Sequence, residues 1–335
     1  MNTQLKLAFK LPAMVVAIAL VTGASLALAA YFASNAIVTR QAEQRLSAAA
    51  ANATAALDAY IQEVAEDLTL FAGRREIAAA IDAFAGARRS LLAQGDPAEL
   101  LQDAYVAQNP HPAGERLLLD SSDKLLVYDL HHRPNHADFR ELMQTRGYYD
   151  VLLFDADGNN VYSVQKATDF GTGFAEGAGP WADSDLGKVV RAALAGAEGD
   201  VFLSDLAPYG PADGEPAGFI AAPVIDQGWL IGVLAYQMPV ARMGEVLSRT
   251  RGLDESGEIY MVGADGLARN DSPATEGNDV LSLAAGGDVA TATVGGAAGM
   301  GQVSHHGAAY VAAAEPLSFG GVDWAVVALE SAEAI

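Results

Sequence analysis

Between Tyr162 and Tyr236 the chain interleaves aromatic residues with a few charges. Tyr162 and Lys166 close one extended segment. Asp169, Phe170 and Trp181 lie on the loop that follows, Ser204, Asp205 and Tyr209 come after the next strand, and Tyr236 sits on the last. Aromatic walls with one or two charges make a pocket for a small polar ligand. The competing reading is ordinary core and rim aromatics.

Catalytic patterns are absent. The sequence holds no Walker loop, no nucleophile elbow and no HExxH. We therefore expect no enzyme activity and no cofactor. His132 and His136 in "HHRPNH" have the i, i+4 spacing of a metal pair on a helix. Pro134 lies between them, which argues against a helix and for a solvated loop. His305 and His306 are neighbours, and a strand would point them to opposite faces. No metal site is expected. "DADGN" lacks the later acidic ligands of a calcium loop, so it reads as a hairpin turn. "GTGFAEGAG" does not open onto a helix as a phosphate cradle does.

The elements that would position these residues follow from patterning. "YYDVLLFDADGNNVYSV" gives strand, Asp-Gly turn and strand, and "WADSDLGKVVRAALAG" a helix capped by Asp183 or Ser184. "DVFLSDLAPY", "AGFIAAPVI" and "GWLIGVLAYQM" add three strands. "EIYMVGADGLARN" repeats the opening hairpin, and "VSHHGAAYVAAAEPL" with "VDWAVVALES" repeats the closing strands. The chain thus carries one small antiparallel unit twice, an α+β organisation. The second copy is rich in Gly and Ala and reads as a structural coupler.

Ahead of the repeats, Leu11–Ala33 has no charge and is long enough to cross a bilayer. A cleavable signal peptide is the alternative, with Ala27-Leu28-Ala29 as a small-x-small site. The apolar run continues without Gly or Pro into a helical pattern, which favours retention. Leu46, Ala50, Ala53, Leu57, Tyr60, Ile61, Val64, Leu68 and Phe71 form one stripe at three- and four-residue steps. The stripe looks too long for the small repeats to cover, so a parallel homodimer is expected. Three helices follow: Arg75–Gln94, one capped by Asp96 with Pro97 in its first turn, and a short one capped by Asn135 or Asp138 and ended by Gly147.

The net charge is −22, from 42 acidic and 20 basic residues, and no acidic residue precedes Arg40. Such a surface argues against nucleic acid as a partner and disfavours anionic headgroups, and its plainest effect is solubility. Cysteine is absent, so no disulfide framework or thiol chemistry is available.

One membrane helix, a long helix and two tandem PAS-like repeats with Asp-Gly hairpins resemble the double Cache sensor region of bacterial transmembrane receptors, above all methyl-accepting chemotaxis proteins. "YYDVLLFDADGNNVYSVQKATDFGTG", "FLSDLAPY" and "FIAAPVID" carry the likeness. The resemblance implies a cytoplasmic tail (1–10), a transmembrane helix (11–33), a stalk helix with helical insert (34–147), a membrane-distal Cache subdomain (148–239), a connecting helix (240–257), a membrane-proximal subdomain (258–331) and the approach to a second membrane helix (332–335). It also implies an inner-membrane receptor with residues 34–335 in the periplasm. Its cytoplasmic signalling partners would act through a region beyond Ile335. A histidine kinase or a nucleotide or diguanylate cyclase could share this front end, and a secreted binding protein is a further alternative. Amino-acid-sensing members carry a Tyr, Arg, Trp-Tyr and distal Asp set. Here "GPWADSDLGKVV" has Trp181 without an adjacent Arg, so the resemblance does not imply an α-amino-acid ligand.

This reading fixes a topology. A reporter fused after Arg45 should be active only outside the cytoplasm; activity inside would reverse the orientation.

Overall fold

The computed structural model describes residues 7–249, 253, 257–272, 275 and 277–335. Most of the proposed cytoplasmic tail, the end of the connecting helix and part of the 271–279 loop lie outside them.

Helix α1 runs unbroken from Leu7 to Ala72, a rod on the order of 100 Å at 1.5 Å per residue. Residues 11–38 are all exposed. In the second half of the helix Ala42, Leu46, Ala49, Ala50, Ala53, Leu57, Ile61, Val64 and Leu68 are buried. This burial is supplied by the chain itself. The expected homodimer therefore loses the argument it rested on: both repeats lie along the helix and cover the stripe.

Helix α2 (Arg75–Leu91) carries Glu76 in its first turn and Arg88 and Arg89 in its last, as the helix dipole favours. Helix α3 (Pro97–Gln102) starts at Asp96, whose side chain accepts from the Ala98 N–H at 2.8 Å, and passes into a π-helical turn, Asp103–Ala107. Helix α4 (Val127–Arg146) corrects the sequence reading, because Pro134 lies inside it. A mid-helix proline costs about 3 kcal/mol. Tyr128, His132, His136, Phe139 and Met143 are buried on one face of α4, and that packing overrides the local penalty. Gly147, at φ +76, ends the helix in a left-handed cap that a side chain would strain.

The first sheet contains β1 (Asp150–Asp155), β2 (Asn160–Ser163), β3 (Phe202–Leu203), β6 (Phe219–Asp226) and β7 (Trp229–Gln237), in the order β2-β1-β7-β6-β3, all antiparallel. A two-stranded ribbon, β4 (Ala207–Pro208) with β5 (Pro216–Ala217), is appended. Period-2 alternation sorts the sheet's faces. Val151 and Leu153 join the cluster with α1, α2 and α4. Leu152 and Phe154 join the cluster under α5 (Asp185–Leu194). Ser184 caps α5, its hydroxyl oxygen accepting from the Gly187 N–H at 3.3 Å.

Helix α6 (Val240–Ser248) leads toward the second sheet. Its strands are β8 (Glu258–Val262), β9 (Gly299–His305), β10 (Ala308–Phe319) and β11 (Val322–Ser331), in the order β8-β11-β10-β9. This is the order of the first sheet, with the β2 equivalent reduced to an isolated bridge between Val262 and Ala268. The stretch read as one strand, "VSHHGAAYVAAAEPL", is two, folded at His306-Gly307. Helix α7 (Gly287–Thr293) covers one face of this sheet. On the other face Leu46, Ala49 and Ala50 of α1 meet Ala313 and Ala328, small residues that let helix and sheet approach closely.

Leu57 is fully buried on α1. Leu57→Ala should lower stability by roughly 2–5 kcal/mol through the cavity it leaves. Denaturant melts at two protein concentrations check the cause: an intrachain contact gives the same loss at both, a dimer contact does not.

Candidate functional site

A cavity of about 360 Å³ opens at the rim of the first sheet. Its walls come from the 113–116 loop, the start of β1, the loop after β2, the β4–β5 turn and the end of β7. Asp169 is buried there. Tyr209 donates its hydroxyl to Asp169 Oδ2 at 2.7 Å, while Oδ1 is buried without a hydrogen-bond partner. Burial raises the Asp169 pKa against the opposing hydrogen bond from Tyr209 and the nearby backbone N–H groups of Asp169 and Phe170. Arg116 also lines the cavity. Its Nη1 donates to the Lys166 carbonyl at 3.3 Å, and its Nε is buried and unpartnered. One wall thus offers an acceptor and another a cationic donor.

Asp150, the first residue of β1, is buried beside the cavity. It accepts from the Ser163 hydroxyl at 2.7 Å and from the N–H groups of Val151, Val164 and Gln165 at 2.7–3.1 Å. Desolvation outweighs these bonds and raises its pKa to about 7. Lys166 is fully buried at φ +54, and desolvation lowers its pKa to about 7. Its ammonium donates to the Val164 carbonyl at 3.2 Å and lies 5.9 and 5.7 Å from the ring centres of Tyr105 and Tyr162.

Behind this layer is an aromatic cluster. Tyr162 stacks on Phe84 at 4.9 Å, and Phe170 packs on Tyr105 and Tyr128. His132 and His136 belong to it. They are buried and stacked at 4.4 Å, not in a solvated loop. The Leu117 carbonyl accepts from His136 Nε2 at 2.7 Å, so Nδ1 is the acceptor for the Tyr162 hydroxyl at 2.6 Å. Both nitrogens are used by a neutral ring, and burial lowers its pKa to about 3.

The nine side chains singled out in the sequence therefore divide. Asp169 and Tyr209 line the cavity. Lys166, Tyr162 and Phe170 form the layer behind it. Trp181 packs against Tyr209, 6.3 Å between ring centres, and closes on Gly210. Ser204 is a backbone clamp, accepting from the Phe219 N–H at 3.0 Å. Tyr236 stacks on Tyr148 at 4.1 Å, on the face toward α1.

Asp205 points elsewhere, into the second unit. Arg269 grips it with two bonds, Nε at 2.8 Å and Nη2 at 2.6 Å, and Trp324 donates its indole N–H at 2.7 Å. Arg116, Tyr149, Asp150, Asp213 and Glu215 line the cavity without a sequence signal that marks them, because they come from separate loops. The DADGN turn is self-contained. Asp155 Oδ1 accepts from the N–H groups of Asp157 and Asn159, and Gly158 supplies φ +78. His305 and His306 do not point apart as a continuous strand would have them; their rings lie 3.9 Å apart.

No protein-family model and no curated protein matches the chain. Among solved structures it is similar to ligand-binding domains of chemoreceptors. That of Pseudomonas fluorescens CtaA, in complex with L-serine, has 16% identity and a TM-score of 0.40, over 83% of this chain and 98% of that one. That of Pseudomonas aeruginosa PAO1 PctC, in complex with GABA, has 18% identity and a TM-score of 0.40, over 81% and 98%. An extracellular ligand binding receptor from Desulfohalobium retbaense has 14% identity and a TM-score of 0.39, over 81% and 39%.

Arg269 is nearly fully buried, its other carboxylate partner being Asp265 at 2.9 Å. Asp205→Ala should cost roughly 2–3 kcal/mol by stripping bonds from a buried cation. Melting curves should shift down, while affinity for any ligand of the first unit stays unchanged in calorimetric titration.

Proposed function

We propose that the chain is the extracytoplasmic ligand-sensing region of a bacterial transmembrane chemoreceptor. The exposed apolar half of α1 would lie in the inner membrane, and residues from about 34 onward outside the cytoplasm. The reading rests above all on the cavity of the first unit, with its unpartnered Asp169 Oδ1. A buried acceptor without a partner costs about 1–3 kcal/mol. Such a group calls for an explanation, and a ligand that completes it is the one proposed. The ligand class that suits the walls is a small molecule with an amine or other cationic donor toward Asp169. A carbonyl or carboxylate on the same molecule would face Arg116.

Signalling follows from where the cavity walls lead. A ligand shifts a receptor only by its differential affinity for two states. The cavity's β1 and β7 walls belong to a sheet whose opposite edge of contact is α1, and Tyr148, next to that wall, donates to Asp67 of α1 at 2.8 Å. Closure around a ligand would bias the seating of the sheet on α1, and α1 would carry a small displacement toward the membrane.

A thermal-shift screen of the solubilised chain against amines and zwitterions tests this, since a specific ligand raises apparent stability by mass action. Asp169→Asn should weaken the hit by one to two decades, about 1.5–3 kcal/mol for a charge-assisted bond, with the unliganded melt little changed. The pH dependence has a definite sign. A raised Asp169 pKa means that the carboxylate is lost as pH falls through it, so affinity for a cationic ligand should drop toward acid earlier than for an ordinary aspartate. A ligand that binds Asp169→Asn and the parent equally would place the site elsewhere.

A further inference from the structure

The second unit holds a different cluster. Glu258 opens β8, His305 ends β9, and His306 begins the turn into β10. We propose that Glu258, His305 and His306 form a binding site for a divalent transition metal of the zinc type, with one coordination position left open.

Geometry is the first support. Glu258 Oε1 lies 3.5 Å from His305 Nε2 and 3.9 Å from His306 Nε2. All three candidate ligand atoms fall within 4.8 Å of one another. Ligands at about 2.0–2.1 Å from a tetrahedral zinc sit about 3.3 Å apart. Movements of an ångström or less would bring these three onto one ion.

The second support is an unmet polar demand. Both ring nitrogens of His305 are buried without a hydrogen-bond partner, and the residue is 2% exposed. The 3.5 Å approach to Glu258 is too long and poorly aligned to count as a hydrogen bond. A metal would engage one of these nitrogens directly.

Charge is the third. Glu258 and Asp279 are both buried. Tyr260 lies 2.7 Å from Glu258 Oε2 and 3.2 Å from Asp279 Oδ2, yet its hydroxyl has one proton to give. Among the described residues no Lys or Arg pairs with either carboxylate. The surrounding negative charge favours a dication.

The backbone points the same way. His306 and Gly307 occupy a two-residue hairpin at φ +50 and +78. Asn-Gly is the sequence such a turn prefers, and a histidine there carries mild strain. That placement is what brings the second imidazole beside the first. His306 is part-exposed, its side chain 37% accessible. Three protein ligands and an open approach describe a loadable site, not a closed structural one. The second unit would then respond to extracytoplasmic metal independently of the first unit's ligand.

The test uses the full chain, solubilised, free of any affinity tag of histidines and stripped with chelator. Zinc is titrated against a chromophoric chelator, bound metal is counted by mass spectrometry, and melting is followed with and without zinc. One equivalent per chain and a raised melting temperature are expected. Glu258→Gln and His306→Asn should each weaken zinc binding tenfold or more. His306→Asn keeps a turn-compatible residue, so its metal-free melt should match the parent. Variants of the remote histidines, His111→Gln and His131→Gln, should bind as the parent does. Absence of saturable uptake, parent-like affinity in His306→Asn, or loss of binding in the remote variants would each overturn the assignment.

Discussion

Everything in this chain is referred to one surface, the buried stripe of α1. Two antiparallel sheets need a cover on each face, and each has only one short helix of its own for one of them. The first has α5 and the second α7. For the first sheet α1 shares the other face with α2 and α4; for the second, α1 supplies it, through Leu46, Ala49 and Ala50. Polar ties fix the seating at both ends. Tyr148 and Arg146 hold Asp67, and Arg45 approaches Glu330 at 3.4 Å. Neither sheet can move far on the helix without breaking apolar contact. Any motion that does occur is therefore felt along α1.

The coupling between the units has a second, more local element. Asp205 sits on the first unit, Arg269 and Trp324 on the second, and all three bonds are within 2.8 Å. A bidentate guanidinium–carboxylate pair fixes orientation as well as distance. Together with α1 it gives the two units two separate attachments. Rotation about either attachment alone is then opposed by the other.

The legibility of the sequence followed the range of the interactions. Local chemistry was readable: the Asp-Gly hairpin of β1 and β2, the Ser184 cap, the Asp96 cap with Pro97, the Gly147 stop. The α+β class and the internal repeat were readable too, because period-2 alternation and turn residues are local signals. Pro134 misled, since its penalty is local while the packing of Tyr128, His132 and Phe139 that overrides it is not. The argument for a dimer lost its ground for the same reason. A stripe shows that a helix face must be covered, not by what. Asp205 and Asp169 have the same residue type and similar loop settings, yet one bridges units and the other lines a cavity. Only the partners across the fold, Arg269 in one case and Tyr209 in the other, tell them apart.

The two units show what a repeat allows. Each opens its first strand with a buried carboxylate, Asp150 in β1 and Glu258 in β8. Each sets a second buried acid in the loop downstream, Asp169 and Asp279, with a tyrosine hydroxyl against it. The surroundings then diverge. Asp150 lies deep, near Lys166, and desolvation raises its pKa to about 7. Glu258, one methylene longer, comes within 3.5 Å of His305 at the end of β9. There the carboxylate stays ionised, its pKa about 2. The shared scaffold fixes where a buried acid sits. Neighbours on other strands decide in which direction the pKa of that acid moves.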